Sequence, residues 1–189
     1  MDDVNRPRES TVMLDARHYS TTETLRNGLE VCIRAIRPDD CDRVVEAFHK
    51  LDPESIYTRF FSYKKLSDND LKALRETDFD NRVTLIVTLV VDGREIAIAS
   101  AVYVRSGEGV AEVAFTVEED YHRLGIARRL LSHLGRIAVD AGISTFVAEV
   151  LPQNMAMLKV FSACGWPVKT KTEDGTVHVT ISLPTAPAG

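Results

Sequence analysis

The chain has 189 residues, 44% of them hydrophobic, which is enough for one domain with a buried core. Its formal net charge of -5 disfavours a nucleic acid as partner, because phosphate binding needs a basic face. Three scattered cysteines without a C-x-x-C pair argue against a disulfide framework and against a zinc site, and they suit a reducing cytoplasm.

The chain is expected to form one domain between two tails. Residues 1–21 are polar and lack sustained periodicity, so we expect a flexible N-terminal tail there. Residues 22–184 are expected to form the domain, and residues 185–189 a short C-terminal tail. No segment has the apolar run of a signal peptide or of a bilayer span, so no membrane association is expected.

The domain opens with a predicted antiparallel hairpin, "TLRNGLEVCIRAI". Asn27 and Gly28 separate two β-prone runs, and both tolerate the positive φ of a type I′ turn. The following residues, 38–78, are predicted to be mainly helical. Asp39 or Asp40 can cap the first helix, "PESIYTRFF" favours a short helical turn with aromatic side chains, and Ser67 can cap a further helix.

Three antiparallel strands are predicted next. Two β-branched runs flank Asp92-Gly93, another two-residue hairpin turn, and "VAEVAFTV" supplies the third strand. These strands are too apolar to be wetted on both faces, so helices should cover them. The sequence therefore predicts an α/β fold with a mixed, mostly antiparallel sheet.

A strand–helix–strand crossover follows the third strand. "GIARRLLSHLGRIAVDAG" predicts an amphipathic helix with Gly142 as its C-cap, and "STFVAEVL" predicts the strand after it, parallel to a neighbour. A last helix is predicted in "NMAMLKVFSACGW", ending at Gly165, and a last hairpin turns at Asp174-Gly175.

The loop before the crossover helix, "YHRLGIARRL", predicts an anion-binding site. The first amides of a helix have no internal acceptor and lie at the positive end of its dipole. Gly125 and the small Ala127 would let an oxygen approach the main chain, and Arg123, Arg128 and Arg129 would add positive potential. No Walker Lys-Ser/Thr pair and no G-x-G-x-x-G spacing is present, so a phosphate or pyrophosphate of another ligand class is expected.

The segment from "EVAFTV" to "FSACGW" resembles the core of the GNAT superfamily of acyl-CoA-dependent N-acyltransferases, whose loop follows Gln/Arg-x-x-Gly-x-Gly/Ala. The loop is His122-Arg123-Leu124-Gly125-Ile126-Ala127, with histidine in place of glutamine or arginine. Residues 22–183 also look like the bacterial protein-lysine acetyltransferases that modify acyl-CoA synthetases. The resemblance implies the GNAT fold and acetyl transfer from acetyl-CoA to a protein lysine, without a metal.

The same resemblance implies the site residues. Glu112 matches the glutamate that these acetyltransferases use as general base, and it would take the proton of the amine. The main chain near Phe115 and Val117 would pair with the pantetheine arm of coenzyme A. The diphosphate would lie on the amides of the loop, which are those of Arg123, Leu124, Gly125, Ile126, Ala127 and Arg128. Two residues further along the chain, Asn154 and Phe161, are also candidates for contact with the cofactor.

Several of these residues admit other roles. Glu149 is the rival carboxylate, whereas Glu118 and Glu119 are expected to be solvated loop charges. Asn154 is either a helix cap or a pantetheine contact. Phe161 stands where many relatives have a tyrosine acid and cannot donate a proton, so the thiolate leaves as an anion or with help from Ser162 or Cys164. Cys164 could be proposed as a nucleophile but is expected to be a small core residue. His49, His133 and Trp166 are also expected to be structural.

Three other functions remain open. A small-molecule amine acetyltransferase of the same fold differs only in its acceptor groove. The missing tyrosine and the altered first loop position are also compatible with a sensor that binds acyl-CoA without turnover. A plain interaction domain with an empty loop is the third.

Overall fold

The computed structural model describes residues 15–53 and 67–184. Eight strands form one sheet in the order β1-β2-β3-β4-β5-β6-β8-β7, and within this described part every neighbouring pair is antiparallel except β5 and β6. The strands are β1 (Ser20–Thr24), β2 (Glu30–Ala35), β3 (Arg82–Val91), β4 (Arg94–Gly107), β5 (Val110–Val117), β6 (Thr145–Val150), β7 (Val168–Glu173) and β8 (Thr176–Ser182).

Four α-helices lie in the described ranges: α1 (Cys41–Lys50), α2 (Asp68–Arg75), α3 (Ile126–Asp140) and α4 (Met155–Ser162). This arrangement confirms the predicted mixed, mostly antiparallel sheet and the crossover from β5 through α3 to β6. In the described ranges, each helix is too short or too polar to cross a membrane. The predicted aromatic turn beyond Pro53 and the predicted C-terminal tail lie outside the described residues.

Two of the three predicted hairpin turns are confirmed, and both adopt the type I′ conformation. Asp92-Gly93 and Asp174-Gly175 have positive φ at both residues, as this turn requires. The prediction is wrong at Asn27-Gly28, where only Gly28 has a positive φ, of 85°. The main chains of Leu25 and Leu29 pair at 2.8 Å, so the loop between them has three residues and needs a single left-handed position.

Secondary structure begins earlier than Thr22, the predicted start. Ala16–His18 form a 3-10 turn in which the Asp15 side chain accepts from Arg17 N, and β1 starts at Ser20. Tyr19 is partly buried and packs on the core, which explains why this polar stretch is ordered.

The two faces of the sheet carry different structures. One face packs against α3 and holds the main core, which includes Leu85, Tyr103 and Phe115. The buried stripe of α3 matches the predicted amphipathic pattern, and Gly142 follows the helix with φ 77°. The other face lies beneath α1 and α2, whose side chains enclose a cavity over β3, β4 and β5.

Candidate functional site

Gly125 forms the N-cap of α3 in the left-handed conformation, with φ 86°. Arg123, two residues earlier, also has a positive φ, of 63°. These two positions turn the chain so that it enters α3 directly after Gly125. Because the first amides of a helix have no acceptor within it, those of Ile126, Ala127 and Arg128 are available to an anion.

The charges around this loop differ from the expected set. Arg123 and Arg128 are exposed, but Arg129 is bonded to the carboxylate of Glu23, and its Nη2 donates to Thr24 O at 2.8 Å. Arg129 therefore adds little free positive charge. Arg26, in the loop between β1 and β2, supplies another: its Nε lies 3.6 Å from where a Cβ on Gly125 would be. Sequence analysis missed Arg26 because it is 99 positions away along the chain.

A buried cluster anchors the β1–β2 hairpin to α3. The ring of His133, only 8% exposed, bonds to Glu23 Oε1 at 2.6 Å through Nε2 and to the hydroxyl of Tyr19 through Nδ1. Burial acts to raise the pKa of Glu23, but hydrogen bonds from His133 and Arg129 hold that pKa below its usual value. His133 thus has the structural role expected of it.

The strand before the loop has an open edge. β5 pairs with β6 only from Val110 to Glu112, and beyond that point the two strands separate. Glu118 N donates to Ile98 O at 2.9 Å, so the alternate residues Phe115 and Val117 direct their main-chain groups away from β4, into the opening. There His122 Nε2 makes a hydrogen bond with Val117 O at 2.9 Å, so the histidine at this loop position ties the loop to the end of β5.

Glu112 lies at the point where β5 and β6 separate. It is exposed and stands opposite Val104 on β4 and Val147 on β6. With Glu149 and His178 it lines a cavity of about 190 Å³. Glu149 Oε1 is 3.6 Å from Nδ1 of His178, so the structure brings both candidate carboxylates to the same opening.

The two downstream candidates belong to α4 and to its N-cap. Phe161 is 2% exposed and packs edge-to-face on Phe115, with ring centroids 5.9 Å apart, so it contacts β5 from within the core. Asn154 Oδ1 accepts from Met157 N at 3.1 Å and caps α4. Ser162 Oγ donates to Lys159 O at 3.2 Å, and Cys164 Sγ accepts from Trp166 N at 3.4 Å.

A second cavity, of about 180 Å³, lies between α1, α2 and the sheet. Its floor includes Thr84, Ser100, Val102 and Thr116. Residues that stand opposite each other in the ladder project from the same face of the sheet. Val102 lies on the cavity floor, Val104 shares its face, and Val104 pairs with Glu112, so Glu112 also projects from this face. The cavity and the candidate base therefore share one side of β5.

Glu118 lines the same cavity, and the prediction that it is a solvated loop charge is wrong. It is 6% exposed, and in the described part of the chain its Oε2 is buried without a hydrogen-bond partner. Lys50 Nζ lies 3.7 Å from Oε1. Burial raises the pKa of Glu118, although Lys50 acts to lower it. The alternation of Glu112, Ala114 and Thr116 along β5 could have indicated this inward position.

Comparison with known proteins gives one family. The model of the Acetyltransferase (GNAT) family matches residues 45–166. "Acetyltransferase Pat" of Mycolicibacterium smegmatis is 33% identical over 162 residues, which are 85% of this chain and 48% of that protein. The chain thus spans about half the length of this curated relative.

Solved structures agree with the family match. The GNAT domain of S. lividans PAT is 36% identical, with a TM-score of 0.79 over 87% of this chain and 97% of that one. The protein yncA of Salmonella typhimurium, solved with its cofactor acetyl-CoA, is 19% identical with a TM-score of 0.65, over 84% of this chain and 97% of its own. The second likeness concerns the fold alone.

Proposed function

The chain belongs to the acetyltransferase (GNAT) family, and on that premise we propose that it transfers an acetyl group from acetyl-CoA to the side-chain amine of a protein lysine. The observation that carries the proposal is the open edge of β5, which leads directly into the left-handed Gly125 at the start of α3. The likeness to Pat and to the PAT domain supports a protein acceptor.

The loop and strand fit the two parts of coenzyme A. The amides from Arg123 to Arg128 would hold the diphosphate, because Gly125 has no side chain to block its approach. The main-chain N–H and C=O of Phe115 and the N–H of Val117 would form hydrogen bonds with the amides of the pantetheine arm, which would lie along β5 like an added strand. His122 already occupies the Val117 carbonyl, so it marks the end of that added strand.

Glu112 is proposed to accept the proton of the acceptor. A lysine amine has a pKa near 10.4, so close to neutral pH it must lose a proton before it can attack. The carboxylate takes this proton, directly or through water. The neutral nitrogen then bonds to the thioester carbon, the carbon–sulfur bond breaks, and coenzyme A leaves as its thiolate, while the second proton of the nitrogen passes to solvent and leaves a neutral amide.

The departing thiolate is proposed to take its proton from solvent. Phe161 has no proton to donate, and Ser162 and Cys164 both make hydrogen bonds at the end of α4. A thiol with a pKa near 8.5 is a good enough leaving group for this route.

The direct test incubates the protein with isotopically labelled acetyl-CoA and cell lysate, followed by mass spectrometry of lysines and an assay of free thiol. Labelled protein lysines and a melting temperature raised by acetyl-CoA are expected. Thiol release with polyamines or amino acids only would instead identify a small-molecule acetyltransferase. A raised melting temperature without any turnover would identify a sensor, and an unchanged melting temperature would mean an empty loop.

A further inference from the structure

The hairpin formed by β1 and β2 is fastened to the first turn of α3. Arg129 belongs to that turn, and its amide donates to Gly125 O at 3.2 Å. Its guanidinium bonds to the carboxylate of Glu23 and, at 2.8 Å, to Thr24 O, both at the end of β1. His133, one turn further along α3, makes a second bond to Glu23. The end of β1 therefore has a fixed position relative to the proposed diphosphate site.

The loop after β1 presents Arg26 from a well-defined backbone. Leu25 is 3% exposed, so its side chain is anchored in the core. Leu25 N donates to Leu29 O at 2.8 Å, and Gly28 N donates to Leu25 O at 3.0 Å. Leu29 N also donates to Asn27 Oδ1 at 3.2 Å. The exposed side chain of Arg26 thus leaves from a closed three-residue turn.

The guanidinium of Arg26 lies over Gly125. A Cβ on this glycine would be 3.6 Å from Nε of Arg26 and 4.0 Å from its Cζ. Within residues 15–53 and 67–184, the guanidinium has no hydrogen-bond or ion-pair partner. Its donors are therefore available where the missing side chain of Gly125 leaves the backbone open to an anion.

The charges around this point favour an anion. Arg123 and Arg128 are exposed, and the N-terminus of α3 adds a partial positive charge. Arg129 and Glu23 pair with each other, so neither changes the balance. Asp120 is the nearest acidic residue along the chain, five positions before the glycine. A guanidinium fork also suits the oxygens of a phosphate group better than a point charge does.

We propose that Arg26 binds the diphosphate of coenzyme A together with the amides of the loop, and that the Glu23–Arg129 pair positions it there. The inference rests on the proposed function and adds to it a cofactor-binding residue from outside the loop motif. Arg129 becomes a positioning residue in place of the source of positive potential that the sequence suggested.

The first test measures the Kd of acetyl-CoA by calorimetry. Arg26→Gln should raise it about tenfold or more, as expected for a lost hydrogen bond between charged groups, while kcat at saturating acetyl-CoA stays the same. Arg26→Lys should recover part of the affinity, because it keeps the charge. Arg136→Gln is the matched control, since it removes an exposed arginine roughly 16 Å further along α3 and should leave the Kd unchanged.

Two shorter acetyl donors identify the group that Arg26 binds. Acetyl-dephospho-CoA keeps the diphosphate and lacks the 3′-phosphate, so its Kd should rise in Arg26→Gln as much as that of acetyl-CoA. Acetyl-pantetheine lacks both groups, so its kcat/KM should be the same in wild type and variant. A loss confined to acetyl-CoA, or an equal loss with acetyl-pantetheine, would overturn the inference.

The second test removes the positioning pair without changing the net charge. Glu23→Ala combined with Arg129→Ala should raise the Kd of acetyl-CoA, but it should add little in the Arg26→Gln background, because the pair acts through Arg26. An additive increase would overturn the positioning role. The melting temperature checks folding, and Glu23→Gln with Arg129→Gln, which keeps the side-chain size closer, replaces this variant if it does not fold.

The outcomes separate this inference from the proposed function. An unchanged Kd in Arg26→Gln would overturn the inference alone. A wild-type protein that does not bind acetyl-CoA would overturn the proposed function and this inference with it.

Discussion

The indole ring of Trp166 lies directly on the backbone of Gly135, so closely that a Cβ built on this glycine would be 2.2 Å from the ring's Cη2. Gly135 is buried in the middle of α3, where glycine costs about 1 kcal/mol relative to alanine. The close contact explains why this helix carries a glycine. It also fixes Trp166, which follows α4, against the helix that begins after Gly125.

Gly135→Ala should therefore destabilise the protein despite the better helix propensity of alanine. A methyl group 2.2 Å from the rigid ring is far inside contact distance, so the ring or the helix must shift, and this overpacking should cost about 1–3 kcal/mol of unfolding free energy. Denaturant unfolding measures this. Ser132→Ala, on the exposed side of α3, is the control and should change stability by less than about 0.5 kcal/mol; equal stability of both variants would contradict the contact.

Asp40→Asn should destabilise the protein through a buried ion pair. Arg34 Nη1 and Nη2 donate to Asp40 Oδ2 and Oδ1 at 2.7 and 2.8 Å, and the two side chains are 3% and 0% exposed. Removing the charge of Asp40 leaves the buried guanidinium with the partly exposed Glu95, 3.1 Å from Nη2, as its remaining counter-ion, so about 3 kcal/mol of unfolding free energy should be lost at neutral pH. The double variant Arg34→Met with Asp40→Leu should recover much of it, and an additive loss would argue against pairing.

The same pair predicts a pH dependence of stability. Burial acts to raise the pKa of Asp40, but hydrogen bonds from Arg34 and from Arg37 N–H hold that pKa below its usual 3.8. Since the folded pKa is the lower one, the carboxylate stabilises the fold above pH 3.8, and this contribution is lost as the pH falls through the folded pKa. The difference in unfolding free energy between wild type and Asp40→Asn should thus narrow below pH 3.8. A constant difference down to pH 2 would contradict this.

Gly125→Ala should weaken the binding of acetyl-CoA. A side chain at φ 86° strains the left-handed turn by about 1–2 kcal/mol, and a Cβ there would also stand beside Arg26 in the proposed phosphate cradle. We expect the Kd to rise about tenfold or more by calorimetry. Gly142→Ala is the matched control, because it has φ 77° at the other end of α3 with no atom near its Cβ. It should lose stability and keep its affinity; an equal effect on Kd would contradict the proposed cradle.

Glu112→Gln should lower kcat about 10²- to 10⁴-fold, since it removes the proposed general base while the binding surface for acetyl-CoA stays intact. Steady-state kinetics with a lysine peptide that has a blocked N-terminus measure kcat, and a separate binding experiment measures the Kd for acetyl-CoA. Glu149→Gln is the control, as this exposed carboxylate lines the same small cavity. A collapse of kcat in Glu149→Gln instead would transfer the proposed role to Glu149.

Local sequence was a good guide wherever a short segment sets its own backbone. Asp92-Gly93 formed the predicted turn because both residues tolerate positive φ, and Gly142 ended α3 for the same reason. Asn27-Gly28 shows the limit of this reasoning. The same kind of dipeptide entered a three-residue loop, because pairing of Leu25 with Leu29 decided the loop length.

The sequence by itself determined the order of strands and helices along the chain, the glycine loop at the start of α3 and the alternation that places Glu112, Ala114 and Thr116 on one face of β5. These features depend on steric limits and periodicities within a few neighbouring residues.

Only the tertiary structure decided which charges are free. Arg129 is paired with Glu23, 106 positions away, Arg26 lies beside Gly125, and Glu118 is buried under α1. The reason is that burial and charge pairing arise from the packing of segments distant along the chain, which no local pattern encodes.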